Sequence, residues 1–162
     1  MPPRCLKMWL PLAAIVGCTS GSQPDPEEYT GEIACEIDRV IDGDTVDIKC
    51  DGFEPRSARL QGFDTPEISR PRCDAEASAG FAARAALIDE LRSANRVRVK
   101  LNGQDRFGRL LAVIAVDNSF IADRMIDGGH AVVYDGGPRQ DWCAALDASG
   151  AGFDPIPITE IR

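Results

Sequence analysis

The strongest local instruction in this chain is a turn signal, Asp42-Gly43, set between two strand-like runs that both end in cysteine. Asp-Gly favours a two-residue hairpin loop, because such residues tolerate the positive φ that strand twist demands there. The flanking runs are Ile33-Ala34-Cys35 to Ile41 and Thr45 to Cys50. In a regular hairpin centred on that turn, Cys35 faces Cys50. Directly opposed Cα atoms lie about 4.5–5.5 Å apart, which is within disulfide range. Beyond residue 18 the cysteines are Cys35, Cys50, Cys73 and Cys143. Pairing Cys35 with Cys50 leaves Cys73 with Cys143 by elimination. A zinc site is the alternative, but the chain has neither a C-x-x-C pair nor histidines at ligand spacing. An even set of cysteines of this kind suits an oxidising compartment.

The beginning of the chain agrees with export. Arg4 and Lys7 precede a short apolar run, Met8 to Val16, broken by Pro11. Such a run is too short to span a bilayer but suits the core of a signal peptide. It ends in Ile15-Val16-Gly17-Cys18, which resembles a bacterial lipobox. The expectation is a lipoprotein-type signal peptide over 1–17 and lipidation of Cys18. A plain signal peptide cut near Gly17 or Ser20, or a misplaced start, are the alternatives. Residues 18–31 read as a flexible linker, because Thr19 to Thr30 is mostly Ser, Gly, Pro, Asp and Glu without apolar periodicity. The expected place is the bacterial cell envelope, anchored to a membrane by lipid and facing the periplasm or the exterior.

Charge points the other way from a polyanion binder. The chain has 18 basic and 26 acidic residues, a net charge of −8. Removing residues 1–17 takes away two bases and no acids, so the remainder is more acidic still. Affinity for phosphates comes largely from Lys and Arg, so nucleic acid binding needs a locally basic site or bound divalent cations.

Along the chain, a third strand follows the hairpin and runs to Asp64. Arg59, Gln61 and Phe63 would share one of its faces, since strand side chains alternate. Thr65-Pro66 must end it, because proline removes an amide donor and restricts its predecessor. Asp64 and Glu67 then sit at the mouth of the sheet. Residues 74–94 read as the main helix, with Ala77, Phe81, Ala85, Ile88 and Leu91 as its apolar stripe. Asp74 is its expected N-cap and Asn95 its stop. Arg96 to Leu101 alternates as a strand, 102–108 turns, and Arg109 to Val116 is a buried strand. A short helix over 118–126, an extended piece at 131–134 and a helical turn at 141–146 follow. The pattern is α+β and mainly β. Five short strands curled into a barrel, with a long helix between strands 3 and 4 and a short helix after strand 5, is the oligonucleotide-binding (OB-fold) arrangement. The domain spans 32–148, with a tail over 149–162.

Three polar clusters fall on the turns of this arrangement: Asp42-Gly43-Asp44-Thr45, Arg59 with Asp64-Thr65-Pro66-Glu67, and Asp105-Arg106-Phe107-Gly108-Arg109. Taken singly they are a hairpin turn, a proline turn and a polar loop. Together they are the parts for hydrolysing a phosphodiester. Asp44 and Asp64 suit a hard cation such as calcium, which takes oxygen ligands. Such an ion polarises a phosphoryl oxygen and organises water, and Glu67 can orient or deprotonate that water. Arg59 and Arg109 offer forked donors that never lose their charge.

In these motifs and their order, from about Cys35 to Tyr134, the chain resembles the staphylococcal-nuclease-like (thermonuclease) family, as an exported, lipoprotein-type member. The resemblance implies an OB-fold barrel and a calcium-dependent endonuclease that hydrolyses DNA and RNA to products with 3′-phosphate ends. It implies Asp44, Asp64 and the Thr65 carbonyl as Ca2+ ligands, with Asp42 supporting them. Glu67 is implied as general base, and Arg59 and Arg109 as the groups that bind the scissile phosphate. The partners implied are DNA or RNA and, through Cys18, a membrane, with the protein a monomer.

The chain also departs from that family. Phe107 stands where the family has a phosphate-touching tyrosine, the basic surface is missing, and a Gly-rich segment with Trp142-Cys143 replaces the C-terminal helix. Tyr134 is a candidate for stacking on a base or for packing on the core. The Arg96, Arg98 and Lys100 face suits either a phosphate backbone or plain solvent, and His130, the sole histidine, reads as a surface or edge residue. Two other functions fit the same barrel: a catalytically silent module binding nucleic acid or protein at the cell envelope, and a phosphodiesterase for small substrates.

Overall fold

A computed structural model describes residues 30–149, with side chains from residue 34. The expected signal segment, Cys18, most of the linker and nearly all of the tail lie outside the described residues.

The first strands, β1 (Thr30–Ile33) and β2 (Cys35–Asp42), are one extended run broken only at Ala34. The run continues through β3 (Thr45–Cys50), β4 (Arg56–Leu60) and β5 (Gly62–Asp64). The helix α1 (Asp74–Ser93) leads to β6 (Val97–Gln104), β7 (Leu110–Val116) and the two-residue β8 (Ser119–Phe120). The chain closes with α2 (Ile121–Asp127), β9 (Val132–Tyr134) and α3 (Trp142–Ala148). The main sheet has the order β1-β6-β7-β4-β3-β2, antiparallel except for the parallel β4–β7 pair. Because β1 and β2 are consecutive, one run supplies both ends of that order and the sheet curls shut on itself. Counting β1 and β2 as one strand gives the expected five-stranded OB-type barrel, with α1 after its third strand and α2 after its fifth. The first strand starts at Thr30, inside the expected linker.

Inward side chains fill the barrel: Val46, Ile48, Leu60, Leu101, Leu110 and Ile114 are each at most 1% exposed. Burying an aliphatic side chain of this size contributes about 1.5–3 kcal/mol. Leu87 of α1 and Ile121 and Met125 of α2 join the same core.

Both disulfides form, Cys35–Cys50 and Cys73–Cys143. The hairpin reaches the first pairing by a different route than a regular ladder. Its loop is Gly43-Asp44, one residue later than expected, with Asp42 opposite Thr45. Two register shifts, between Ile37 and Arg39 and between Val40 and Asp42, then bring Cys35 opposite Cys50. Bulges of this kind bend a strand and raise its twist, as barrel closure requires.

Three further expectations need correction. The third strand does not keep one alternation to Asp64: Gly62 has φ 95°, a left-handed conformation that glycine allows. The kink turns Phe63 into the core, 0% exposed, while Arg59 stays on the opposite face. The helix α1 buries Glu76, Gly80, Ala83 and Leu87, whereas Phe81 is 57% exposed. Only small residues fit where it crosses its neighbours, Ala83 against Gly43 and Gly80 against the Pro66 and Glu67 carbonyls, while Ile88 and Leu91 of the expected stripe do pack against the core. Its N-cap is Cys73 rather than Asp74.

Elsewhere β6 runs on to Gln104, and the residues before α2 form β8. The C-terminal segment has both the Gly-rich loop and a helix, α3, begun by Asp141, whose side chain accepts from the Ala144 amide. Among the described residues no helix is long and apolar enough to cross a membrane.

Candidate functional site

Four elements meet at one end of the barrel: the β2–β3 turn, the end of β5 with the loop after it, the start of α1, and the loop before α3. The turn delivers Asp44, 2% exposed. Its own amide donates to Asp42 Oδ1 at 3.1 Å, and Thr45 Oγ1 donates to Asp44 Oδ1 at 3.0 Å. Asp42 thus braces the turn. The turn can sit here only because residue 43 is glycine. A Cβ there would lie 2.8 Å from both Ala83 Cβ and Thr65 Oγ1. Gly43→Ala is therefore expected to destabilise the protein by about 1–3 kcal/mol and to lower activity, checked by thermal melts and assays on the same preparation.

Asp64 ends β5 with no exposure, and Thr65 is 1% exposed. Arg59 links the two aspartates: Nη1 lies 2.8 Å from Asp44 Oδ2, and Nη2 donates to Asp64 Oδ1 at 2.9 Å. Burial is the main force on the Asp44 carboxyl, pushing it up to about 7 against the pull of Arg59, with Asp42 adding to the rise.

Two groups that sequence reasoning missed complete the cluster. Arg139 reaches in from the loop after β9. Its Nε donates to Asp64 Oδ1 at 2.7 Å, its Nη2 lies 3.4 Å from the Thr65 carbonyl and 3.8 Å from Asp44 Oδ2, and its Nη1 pairs with Glu67. Burial works against the Arg139 charge, but the bonds to Asp64 and Glu67 outweigh it and raise its pKa. Trp142 Nε1 donates to Asp64 Oδ2 at 3.2 Å and covers it. A signal did exist in the sequence: pairing Cys73 with Cys143 puts residues just before Cys143 beside the start of α1, close behind Glu67.

Glu76 was also missed. It is 2% exposed and accepts from the Arg72 amide at 2.6 Å and the Glu67 amide at 3.4 Å. Lying three residues after the N-cap Cys73, it reaches back past the capping-box position to the amide of Arg72. Its bond to the Glu67 amide fixes the backbone of that residue, whose side chain is 28% exposed.

Arg109 stands apart from this cluster. Asp105 Oδ1 accepts the amides of Phe107 and Arg109 at 2.8 and 3.0 Å, and its Oδ2 accepts Arg109 Nε at 2.8 Å. These bonds outweigh the burial of Asp105 and hold its carboxyl below the usual range. Phe107 is 70% exposed, with the Arg109 guanidinium 5.9 Å from its ring centre.

Arg59, Arg109, Arg139, Phe107 and Tyr134 line one cleft of about 1370 Å³. Tyr134 lies under Arg59, 5.9 Å from ring centre to guanidinium, and its hydroxyl donates to the Gly137 carbonyl at 2.9 Å. Arg96, just before β6, and Arg98 and Lys100 on it are exposed and do not line this cleft. His130 is half-buried, its amide donating to the Met125 carbonyl.

The donors of the inner cluster are all oxygen: three carboxylates and one carbonyl. That set fits a hard cation such as Ca2+ and does not suit a metal that prefers nitrogen or sulfur. The outer part of the cleft, with fixed guanidinium groups, fits a phosphate.

Comparison with known proteins agrees with this geometry. Residues 57–145, more than half of the chain, match the family described as Staphylococcal nuclease homologue. A relative from Bacillus subtilis (strain 168), "Endonuclease YhcR", is 31% identical over 119 residues, which is 69% of this chain. The chain spans about 10% of the length of that relative. The OB-type barrel, the carboxylate cluster beside two framing arginines and the extent of the family match together place the chain in the staphylococcal nuclease family.

Proposed function

We propose that this protein is a calcium-dependent endonuclease that hydrolyses phosphodiesters of DNA and RNA to 3′-phosphate products. The observation that carries the proposal is the joining of Asp44, Asp64, the Thr65 carbonyl and Glu67 in one cluster opening into an arginine-lined cleft. In this reading Asp44, Asp64 and Thr65 hold Ca2+, which when bound would polarise a phosphoryl oxygen and favour the attacking water.

The remaining steps belong to the chain itself. Glu67 accepts the proton of the water, its backbone fixed by Glu76. Arg59 and Arg109 donate to the phosphate oxygens as negative charge spreads over them. Arg59 is positioned by the buried aspartates and Arg109 by Asp105, so neither must be ordered when substrate arrives. Phe107 lacks the hydroxyl of the family's tyrosine, so one phosphate contact is missing. Export and lipid anchoring through Cys18 belong to the same proposal, supported by the lipobox-like sequence and the two disulfides.

The test is release of acid-soluble nucleotides from single-stranded DNA, with calcium and with a chelator, for wild type and Glu67→Gln. Release is expected to need calcium and to fall by about 10²–10⁴-fold in the variant. Absence of release from a folded, calcium-binding protein would favour the silent binding module. Release from dinucleotides but not from long DNA would favour the small-substrate phosphodiesterase.

A further inference from the structure

The two guanidinium groups in the carboxylate cluster are held in different ways. Arg59 stands on a barrel strand and its side chain is 13% exposed. Arg139 lies on the loop between β9 and α3, after Gly136 and Gly137, and its side chain is 39% exposed. Yet Arg139 makes the broader set of contacts. It touches Asp64, Glu67 and the Thr65 carbonyl and approaches Asp44. These are the same four residues assigned above to calcium and its attacking water.

A calcium ion draws its oxygen ligands in to about 2.3–2.6 Å. A guanidinium keeps oxygens at hydrogen-bond distance and fills the middle of the cluster itself. Arg59 and Arg139 share Asp44 Oδ2 and Asp64 Oδ1, but only Arg139 also holds the Thr65 carbonyl and Glu67, so an ion drawing on that whole set competes with Arg139 above all. Arg59 is locked between two buried aspartates, whereas Arg139 has a solvent-facing side and a glycine-rich loop to move on. The loop is fixed a few residues later by Trp142 and by Cys143, so a swing of Arg139 leaves α3 in place.

We propose that Arg139 is an exchangeable internal cation, bound by the ligand cluster in the metal-free protein and displaced by calcium. The proposal rests on the calcium reading of the site. Arg139 prevents the buried carboxylates from repelling one another before metal arrives. It also sets the metal concentration at which the site fills, because the apparent affinity falls with the fraction of molecules whose ligands are free. The displaced guanidinium remains on the wall of the cleft it shares with Arg59 and Arg109, where it faces a bound polyanion.

The experiment is calorimetric titration of the full chain with CaCl2 alone, in chelator-stripped buffer without nucleic acid. Wild type, Arg139→Ala and Arg139→Lys are compared, with melting curves of each in calcium and in chelator. Arg139→Ala is expected to bind calcium at least about tenfold more tightly than wild type. Its melting temperature is expected to be lower than wild type in chelator and to rise more on adding calcium. Arg139→Lys, which keeps the charge without the fork, is expected to fall between. Arg139→Gln, which is shorter and uncharged but keeps N–H donors, repeats the titration if the alanine variant unfolds. Equal affinity in wild type and a folded variant overturns the exchange while leaving the calcium site standing. Weaker binding in a folded variant also overturns it, since Arg139 would then be organising the ligands. No binding by any of these proteins removes the calcium reading and the exchange together.

Discussion

Arg109→Ala is expected to lower turnover by about 10²–10³-fold while the melting temperature stays close to that of wild type. Arg59→Ala is expected to lose turnover on the same scale and to lose stability as well. Both arginines serve the phosphate in the proposed mechanism, but their surroundings differ. Arg109 is 32% exposed and pairs at the rim with Asp105, which is 15% exposed and keeps its bonds to the backbone amides of residues 107 and 109 when the guanidinium is removed. A partly exposed pair whose carboxylate stays hydrogen-bonded contributes about 1 kcal/mol or less. Arg59 bridges Asp44 and Asp64, whose side chains are 2% and 0% exposed. Taking away one partner of a buried ion pair costs about 3–5 kcal/mol. Arg139, still touching Asp64, should keep the loss near the low end. Nuclease assays beside thermal melts of the two variants would separate the effects. Full turnover in Arg109→Ala would remove that residue from the mechanism.

Breaking the Cys73–Cys143 disulfide is expected to cost more than breaking Cys35–Cys50. The two bridges close loops with sequence separations of 70 and 15 residues. Loop-closure entropy gives about 4 kcal/mol for the longer and about 3 kcal/mol for the shorter, and strain or residual structure reduces both. The longer bridge has a second effect, because it joins the N-cap of α1 to the helix that carries Trp142. A Cys73→Ser, Cys143→Ser double variant should therefore lose activity at temperatures where it is still folded. A Cys35→Ser, Cys50→Ser variant should lose stability and keep its activity when folded. Melting in denaturant and assays well below the transition would check both, and equal loss of activity in the two variants would contradict the placement of α3.

Most of the barrel was legible because its instructions are local. The alternation of β6, the apolar run of β7 and the Pro66 stop are properties of neighbouring residues. Asp44, Asp64, Thr65 and Glu67 were legible as a group because short motifs carry them, and the structure brings them together. Arg109, predicted with them, lies apart on its own loop. The inner face of α1 was misread because hydrophobicity favoured Phe81. The deciding factors were the approach of Ala83 to Gly43 and of Gly80 to the Pro66 and Glu67 carbonyls, neither of which can be read from the helix alone. Arg139 and Trp142 were missed for a similar reason. Their contacts with Asp64 span 75 and 78 residues, and their local sequence is an ordinary glycine-rich loop entering a short helix. The Cys35–Cys50 pairing was reached from the wrong register, because neither bulge in the hairpin has a sequence signal of its own.

The single run of β1 and β2 also determines how the domain bears a pull on its leading end. Tension applied ahead of Thr30 acts along the seam of the barrel and reaches first the pairing of β1 with β6. That pairing covers Thr30 to Ile33 and can peel one residue at a time. Peeling would halt at Cys35, which is covalently fastened to Cys50 in the neighbouring strand. Beyond that point the load passes into the β3 backbone, while the Gly43-Asp44 turn at the far end of the hairpin is left unstrained. Mechanical work done on the leading end is thus absorbed by four sacrificial residues at the seam, and the cleft can keep its shape while they detach.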